Sequence, residues 1–274
     1  MNRIDFKTGF GYAFIHFSME VLCFFFLYRV FGGTGWWWTI ALVYDTVAFA
    51  GQVPVGAFCE KHPRFSPGVC GAVLLVTGAL TGLAATGCLR PGAGNISAVA
   101  EGATIGTLAA VAAGAGFVIL SIGNAFLHIS GALITLKVSQ GRLGETGIFV
   151  GGGAFGVVTG RLLGSGNGPV WIPFVLMAVS FVLIILLDRV QGIQLSGDVQ
   201  EPALIPSDAA RDDGIFTDRS RLICVHDHAA NRPAEVIILV LAGVIAVRSY
   251  ISNGIPMQWK KTVFETIMLY VSMG

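Results

Sequence analysis

Residues 9–30 read GFGYAFIHFSMEVLCFFFLYRV, an apolar stretch that carries a single acidic residue, Glu20, near its centre. A helix needs roughly 20 apolar residues to cross the ~30 Å hydrocarbon core of a bilayer. The basic residues Arg3 and Lys7 precede the stretch, as in a signal peptide, but it is too long and aromatic for one and no small-residue cleavage site follows. We therefore predict a transmembrane helix here.

The rest of the chain repeats this pattern of long apolar stretches. Further stretches of spanning length lie at 35–57, 68–89, 107–132, 145–164, 169–188 and 235–256, and an eighth opens near 262. The composition agrees, because 54% of the 274 residues are hydrophobic and 12% are charged, with a mean hydropathy of +0.75. A soluble domain carries roughly 25% charged residues, so a water-soluble enzyme is excluded, and the net charge of +1 gives no basis for a nucleic-acid partner. The predicted fold class is an all-α polytopic membrane protein.

Charged residues divide the chain into three predicted parts. Residues 190–232 carry many of the charges together with Pro202 and Pro206, a composition typical of a polar linker. We therefore predict an N-terminal six-helix transmembrane bundle over 1–189 and a mobile cytoplasmic linker over 190–232. Residues 233–274 are predicted to start a C-terminal bundle, with helix 7 and a partial helix 8.

The positions of basic and aromatic residues predict the orientation. With the N-terminus inside, most of the 17 Lys and Arg residues fall on the cytoplasmic side, which is the usual bias of membrane proteins. Trp36, Trp171 and Trp259 then lie at the outer interface, where indole rings are favoured. With no targeting signal visible, we expect a multi-pass protein of the plasma (inner) membrane with a cytoplasmic N-terminus.

Polar and ionisable side chains recur inside the predicted helices, where each charge costs at least ~2.5–3.5 kcal/mol at mid-bilayer. His16 and Glu20 are four residues apart and so share one face of the first helix. Asp45 is central in the second helix, and Asn124 and His128 share a face of the fourth. The candidate substrate- and proton-binding residues are His16, Glu20, Asp45, Gln52, Asn124, His128 and Arg248.

Two interpretations of these residues remain open. In the first, they line one water-accessible cavity, where Glu20 or Asp45 exchanges a proton, the histidines tune it, and Arg248 holds an anionic group of the substrate. In the second, they only bond helices together: Asp45 pairs with His16 or Asn124, and Arg248 extends toward the interface.

Glycines recur at four-residue intervals in the fifth predicted helix. Such a ridge of small residues allows a neighbouring helix to approach backbone to backbone. The predicted helix-packing residues are Gly152, Gly156, Gly160 and Gly164.

The turn after the second helix reads Gly56-Ala-Phe-Cys-Glu60-Lys61-His-Pro63-Arg64. It resembles the loop signature of the major facilitator superfamily, G-x-x-x-D-R-x-G-R-R, with Glu60 in place of Asp, Pro63 in place of Gly and Phe65 in place of the last basic residue. The resemblance implies a conformational latch on the cytoplasmic side, formed by Gly56, Glu60, Lys61 and Arg64.

Two further segments are similar to parts of the same superfamily. Residues 123–131, GNAFLHISG, look like the fourth helix of its fosmidomycin-resistance-type branch, and 151–156 is similar to the glycine-rich motif of proton-driven antiporters. The resemblance implies a secondary active transporter that moves a small solute by alternating access, coupled to protons, with efflux favoured and no cofactor. Its expected partners are the solute, protons and membrane lipid. Such transporters have about twelve spans in two halves, so the chain is expected to be truncated after the seventh helix.

Three other classes of protein stay open as alternatives. The first is a non-functional remnant of such a transporter, because the sequence stops at Gly274 inside an unfinished span. The second is a seven-helix receptor, which the predicted inside location of the N-terminus disfavours. The third is an intramembrane enzyme with a zinc ion on His16, Glu20 and His128, since three ligands and a water suffice. We expect neither an enzyme nor a bound metal, because the chain lacks the H-E-x-x-H arrangement.

Overall fold

The computed structural model describes residues 3–32, 34–62, 64–89, 107–139, 143–166 and 168–191. The predicted linker beyond residue 191, the predicted seventh and eighth helices and Arg248 lie outside the described residues. The described part is helical, with short turns between helices and no strand.

The helices coincide closely with the first six predicted spans. They are α1 (Arg3–Phe31), α2 (Trp37–Asp45), α3 (Gln52–Lys61), α4 (Pro67–Ala85), α5 (Thr107–Ser139), α6 (Leu143–Ser165) and α7 (Trp171–Gln191). In the part of the chain that the structure describes, the segments long and apolar enough to cross a membrane are Gly9–Phe31, Thr39–Lys61, Pro67–Ala85, Leu108–Thr135, Gly147–Ser165 and Trp171–Asp188. The prediction of a helical chain with six apolar spans in this region is confirmed.

The second span departs from the regular helix that its sequence predicts. Between α2 and α3, Thr46–Ala50 forms a π turn, whose i→i+5 hydrogen bonds widen the helix. At its start the Thr46 hydroxyl donates to the Leu42 carbonyl oxygen, 2.7 Å away. A π turn rotates the residues after it relative to those before it, so Asp45 and Gln52 are not related by the angle that a regular α-helix would give them.

Helix α1 lies at the centre of the bundle. It contacts α4, α5, α6 and α7, and 72% of its spanning segment is buried, against 22% for α7. Many of its large apolar side chains, among them Leu22, Phe25 and Phe26, are fully buried. The polar residues in the middle of α1 are therefore surrounded by protein.

Glycines of α6 allow it to lie directly against α1. A Cβ atom at any of the four predicted packing positions would collide with a backbone carbonyl oxygen of α1, so a larger residue does not fit. The contacts pair Gly152 with Ala13, Gly156 with Phe17, Gly160 with Val21 and Gly164 with Phe25. A four-residue repeat on α6 thus meets a four-residue repeat on α1, as in helix pairs joined by small residues.

A second glycine interface joins α4 to α5. A Cβ atom on Gly78 would lie 2.6 Å from the Gly116 carbonyl oxygen, and a Cβ on Gly116 would lie 2.6 Å from that of Gly78. Gly71 and Gly123 form a second reciprocal pair, at 2.8 Å. The two glycine interfaces hold α5 and α6 close to their neighbours, so that polar residues of α1, α5 and α6 can meet.

Helix α4 has well-defined ends. Pro67 occupies its first turn, and the Ser66 hydroxyl caps it by accepting a hydrogen bond from the Val69 amide at 3.3 Å. The same hydroxyl donates to a carboxylate oxygen of Asp188 at 2.7 Å, which ties the start of α4 to the end of α7. Beyond the other end, Gly87 has a φ of +72°, the left-handed conformation that commonly terminates helices.

Candidate functional site

Glu20 is the central residue of the spanning segment Gly9–Phe31, about 16 Å along the helix from either end. Only 5% of its surface is exposed. Lipid offers no hydrogen-bond donors, so a carboxylate at this depth depends on protein groups for its hydrogen bonds.

Three polar side chains surround Oε1 of Glu20. The Asn124 amide donates to it at 3.2 Å, and Nε2 of His128 forms a hydrogen bond with it, also at 3.2 Å. Nε2 of His16, one turn earlier on α1, lies 3.8 Å away, which is beyond hydrogen-bonding distance. All four residues are more than nine-tenths buried. Helix α5 therefore supplies two of the three neighbours of the carboxylate.

His16 is held in place by α6. Its Nδ1 lies 2.8 Å from the carbonyl oxygen of Phe149, and its ring stacks on the Phe149 ring with a centroid distance of 4.4 Å. A carbonyl oxygen only accepts hydrogen bonds, so Nδ1 carries a hydrogen and donates it. In the neutral ring this leaves a lone pair on Nε2, the nitrogen nearer to Glu20.

Gly153 makes room for this ring. A Cβ atom at position 153 would overlap three atoms of the His16 imidazole. Gly153 follows Phe149 by one turn on α6, so the same face of α6 supplies both the carbonyl partner and the space. In the sequence, Gly153 belongs to the glycine-rich motif 151–156, but no contact with His16 was predicted for it.

Asn124 extends the cluster to the second span. Its Nδ2 lies 2.7 Å from the Tyr44 hydroxyl and 3.5 Å from Sγ of Cys23, in addition to its bond to Glu20. The amide has two hydrogens for these three neighbours, while its Oδ1 is buried without a partner among the described residues. In this arrangement the Asn124 amide therefore cannot donate to all three neighbours at once, and its carbonyl oxygen accepts no hydrogen bond from the described residues.

His128 is enclosed by rings. Its imidazole meets that of His16 edge to face, with centroids 4.7 Å apart, and lies 5.2 Å from the ring of Phe49. Phe49 belongs to the π turn. Through Tyr44 and Phe49, the second span contributes one wall of the cluster.

Four of the seven predicted binding residues are found in this cluster. Asp45 and Gln52 are half-buried on the second span, and Arg248 lies outside the described residues. The structure brings together His16, Glu20, Asn124 and His128. The assignment of a binding role to each of the seven stays a prediction.

The predicted latch residues lie around the turn between α3 and α4. Gly56 is on α3, close to Ile129 of α5. Glu60, Lys61 and Arg64 are exposed at the end of α3 and in the turn that follows. A latching function for them stays a prediction.

Tyr44, Phe149 and Gly153 belong to the cluster, although the sequence analysis did not assign them to a site. Phe149 acts through its backbone carbonyl, a group that every residue has, so its type gives no signal. Tyr44 directly precedes the unusual intramembrane Asp45, and Gly153 ends a run of three glycines. The sequence signals for Tyr44 and Gly153 are therefore the adjacent Asp45 and the run of glycines.

The cluster gathers atoms that bind cations. One ligand atom from each of His16, Glu20 and His128 lies within 4.8 Å of the other two. In a site shielded from water, the negative charge of an ionised Glu20 is costly unless positive charge lies close to it. The arrangement can therefore hold a cation, either protons or a metal ion.

These features define a helical protein with six segments that can cross a membrane and an ionisable cluster between α1 and α5. No protein-family model, curated protein or solved structure matches the chain.

Proposed function

We propose that the protein is a secondary active transporter that moves a small solute across the plasma (inner) membrane by alternating access, driven by protons, with efflux as the favoured direction. The observation that carries this proposal is the cluster of His16, Glu20 and His128, buried halfway along the central helix. The resemblance of residues 56–64 and 123–131 to the major facilitator superfamily supports the same class of protein.

A purely structural role does not require ionisable side chains at this depth. Neutral polar residues already bond helices together in membranes, for about 0.6–2 kcal/mol per bond, and Asn124 does so through its contact with Tyr44. A charged carboxylate costs at least ~2.5–3.5 kcal/mol at the centre of a spanning helix. As a helix link, Glu20 therefore offers little advantage over a neutral polar residue, whereas a group that gains and loses a proton explains the cost.

Protonation of Glu20 would change how α1 is bonded to α5. The ionised carboxylate accepts hydrogen bonds from Asn124 and His128. The protonated carboxyl becomes a donor at one oxygen, and the Asn124 amide would then turn its Oδ1 toward it. A proton would thus favour one arrangement of two helices over another, which is the coupling that alternating access requires.

The test is solute-dependent proton movement in liposomes that contain the full chain and an entrapped pH-sensitive dye. A panel of small solutes is added under an imposed pH gradient, and a solute that moves protons in the wild type is then used with the variants. We expect Glu20→Gln to abolish transport that depends on the gradient, because the amide has no proton to release at these pH values.

Glu145→Gln is the matched control, because Glu145 lies in the first turn of α6, before the spanning segment Gly147–Ser165. We expect this control to transport as the wild type does. Unchanged transport by Glu20→Gln would remove Glu20 from the mechanism. A wild-type chain that moves no protons with any solute of the panel would overturn the proposal.

A further inference from the structure

We propose that His16, Glu20 and His128 bind one divalent transition-metal ion of the zinc class. Their ligand atoms lie within 4.8 Å of one another, and all three residues are more than nine-tenths buried. Two imidazole nitrogens and one carboxylate oxygen form a ligand set that zinc sites use, with the fourth position left to water or to a bound molecule.

The distances from Glu20 to the two histidines are close to those of a tetrahedral site. With zinc–ligand bonds of about 2.0–2.1 Å, neighbouring ligand atoms of a tetrahedron lie about 3.3 Å apart. Oε1 of Glu20 lies 3.2 Å from Nε2 of His128 and 3.8 Å from Nε2 of His16. A shift of the His16 ring by about half an ångström would match the tetrahedral separation from Glu20.

A proton shared within the cluster would be held by only two of its three ionisable side chains. It joins Glu20 to His128, whose atoms are at hydrogen-bonding distance, but Nε2 of His16 at 3.8 Å is too far away to take part. His16 is nevertheless kept beside the carboxylate by the Phe149 carbonyl. A metal ion gives all three groups a role.

The neighbouring residues hold these ligands as in known metal sites. A histidine that binds a metal almost always donates its second ring N–H to a carbonyl or carboxylate oxygen. Nδ1 of His16 makes this bond to the Phe149 carbonyl, and Asn124 donates to the carboxylate of Glu20. Both ligands are therefore oriented before an ion binds.

A metal ion and protons compete for the same atoms in this site. Ligands must be deprotonated to bind a metal, so binding releases protons. An ion that exchanges with protons suits an antiporter, and would be its transported solute. That extension rests on the proposed function, whereas the binding of the ion does not.

The test is the binding of Co²⁺ to the purified full chain in detergent, because tetrahedral Co²⁺ has characteristic visible absorption bands. The chain first receives the substitutions His62→Gln, Cys224→Ser, His226→Gln and His228→Gln, which leave His16 and His128 as its only histidines. We expect one equivalent of Co²⁺ to bind. Zn²⁺ should displace it and Mg²⁺, which prefers oxygen ligands, should not.

Substitution of the ligands should weaken this binding strongly. In the same background we expect Glu20→Gln and His16→Gln each to lower the affinity for Co²⁺ by at least about 100-fold, since loss of a group that merely orients a ligand already costs roughly 10–100-fold. Ser121→Ala is the matched control, because Ser121 is buried on α5 and, among the described residues, its hydroxyl bonds only to the Phe117 carbonyl of its own helix. It should bind Co²⁺ as the background chain does.

Thermal unfolding shows whether a variant has lost its fold or its ligand. Zn²⁺ should raise the melting temperature of the background chain and not that of Glu20→Gln, since an ion that binds only the native state stabilises it. Absence of Co²⁺ bands from the folded background chain, or bands that persist in Glu20→Gln, would overturn the metal site. Co²⁺ binding without solute-driven proton movement would instead overturn the proposed function alone.

Discussion

The imidazole of His16 is constrained by α6 through three contacts. Phe149 provides the carbonyl partner and the stacked ring, and Gly153 provides the space for the imidazole. The distance between His16 and Glu20 therefore depends on how closely this face of α6 approaches α1. A single methyl group added at position 153 should change the cluster without changing any of its polar residues.

We predict that Gly153→Ala lowers the affinity for Co²⁺ by at least about tenfold, as expected when a ligand is no longer oriented. The added Cβ would occupy the position of the His16 ring and force it to move. Gly151→Ala is the matched control, because a Cβ there meets no atom of the described residues within 4 Å. The measurement is a Co²⁺ titration of both variants, and equal affinities would show that Gly153 does not position His16.

Spacing within a helix predicted part of the cluster. The i, i+4 relation of His16 and Glu20 predicts a shared face, and the structure places the two side chains 3.8 Å apart. That this face meets Asn124 and His128 of α5 is a tertiary contact, which the period of a single helix does not determine. The carbonyl of Phe149 was also unpredictable, because a backbone group has no sequence signal.

At the level of helices, the interface between α1 and α6 is formed largely by backbone atoms. The glycine repeat on α6 was visible in the sequence, but its partner was not, since the facing positions on α1 are Ala13, Phe17, Val21 and Phe25, which differ in size and form no repeat of small residues. The π turn was also missed, because residues 46–50, TVAFA, contain neither glycine nor proline to mark an irregular helix.

We predict that Gly156→Ala destabilises the protein by roughly 1–3 kcal/mol, the usual cost of overpacking. Its Cβ would collide with the Phe17 carbonyl oxygen, which belongs to the backbone and cannot rotate away. Gly114→Ala on α5 is the matched control, since in the part of the chain that the structure describes a Cβ there meets nothing within 4 Å. This control should be unchanged or more stable by up to about 1 kcal/mol, because alanine favours a helix over glycine.

Unfolding in mixed detergent micelles measures both glycine variants against the wild type. Destabilisation of the same size in Gly156→Ala and Gly114→Ala would mean that the loss of glycine, and not the contact with α1, is responsible. That outcome would contradict a close approach of α6 to α1.

For the whole molecule, the apolar outer faces explain why hydropathy predicted the spans so well. On α7 the exposed side chains recur at helical spacing, at Val175, Val179, Val182 and Leu186. The opposite stripe contains the buried Met177 and Ile184. In water such exposed stripes would favour aggregation, whereas in a bilayer they match the lipid. Both faces of α7 are thus apolar, which gives a long hydrophobic run but no information about which face packs inward.

The orientation of the bundle can be tested with single cysteines on either side of the second span. Gly35 and His62 are exposed and flank the segment Thr39–Lys61. If Lys61 and Arg64 lie on the cytoplasmic side, as the bias of basic residues predicts, Gly35→Cys should react with a membrane-impermeant maleimide in intact cells. His62→Cys should react only after permeabilisation. The parent chain, whose cysteines within the described residues are buried or half-buried, measures the background.

Reaction of both variants from outside would contradict a membrane-spanning second segment. The reverse pattern would place the N-terminus outside and overturn the orientation that the basic residues predict.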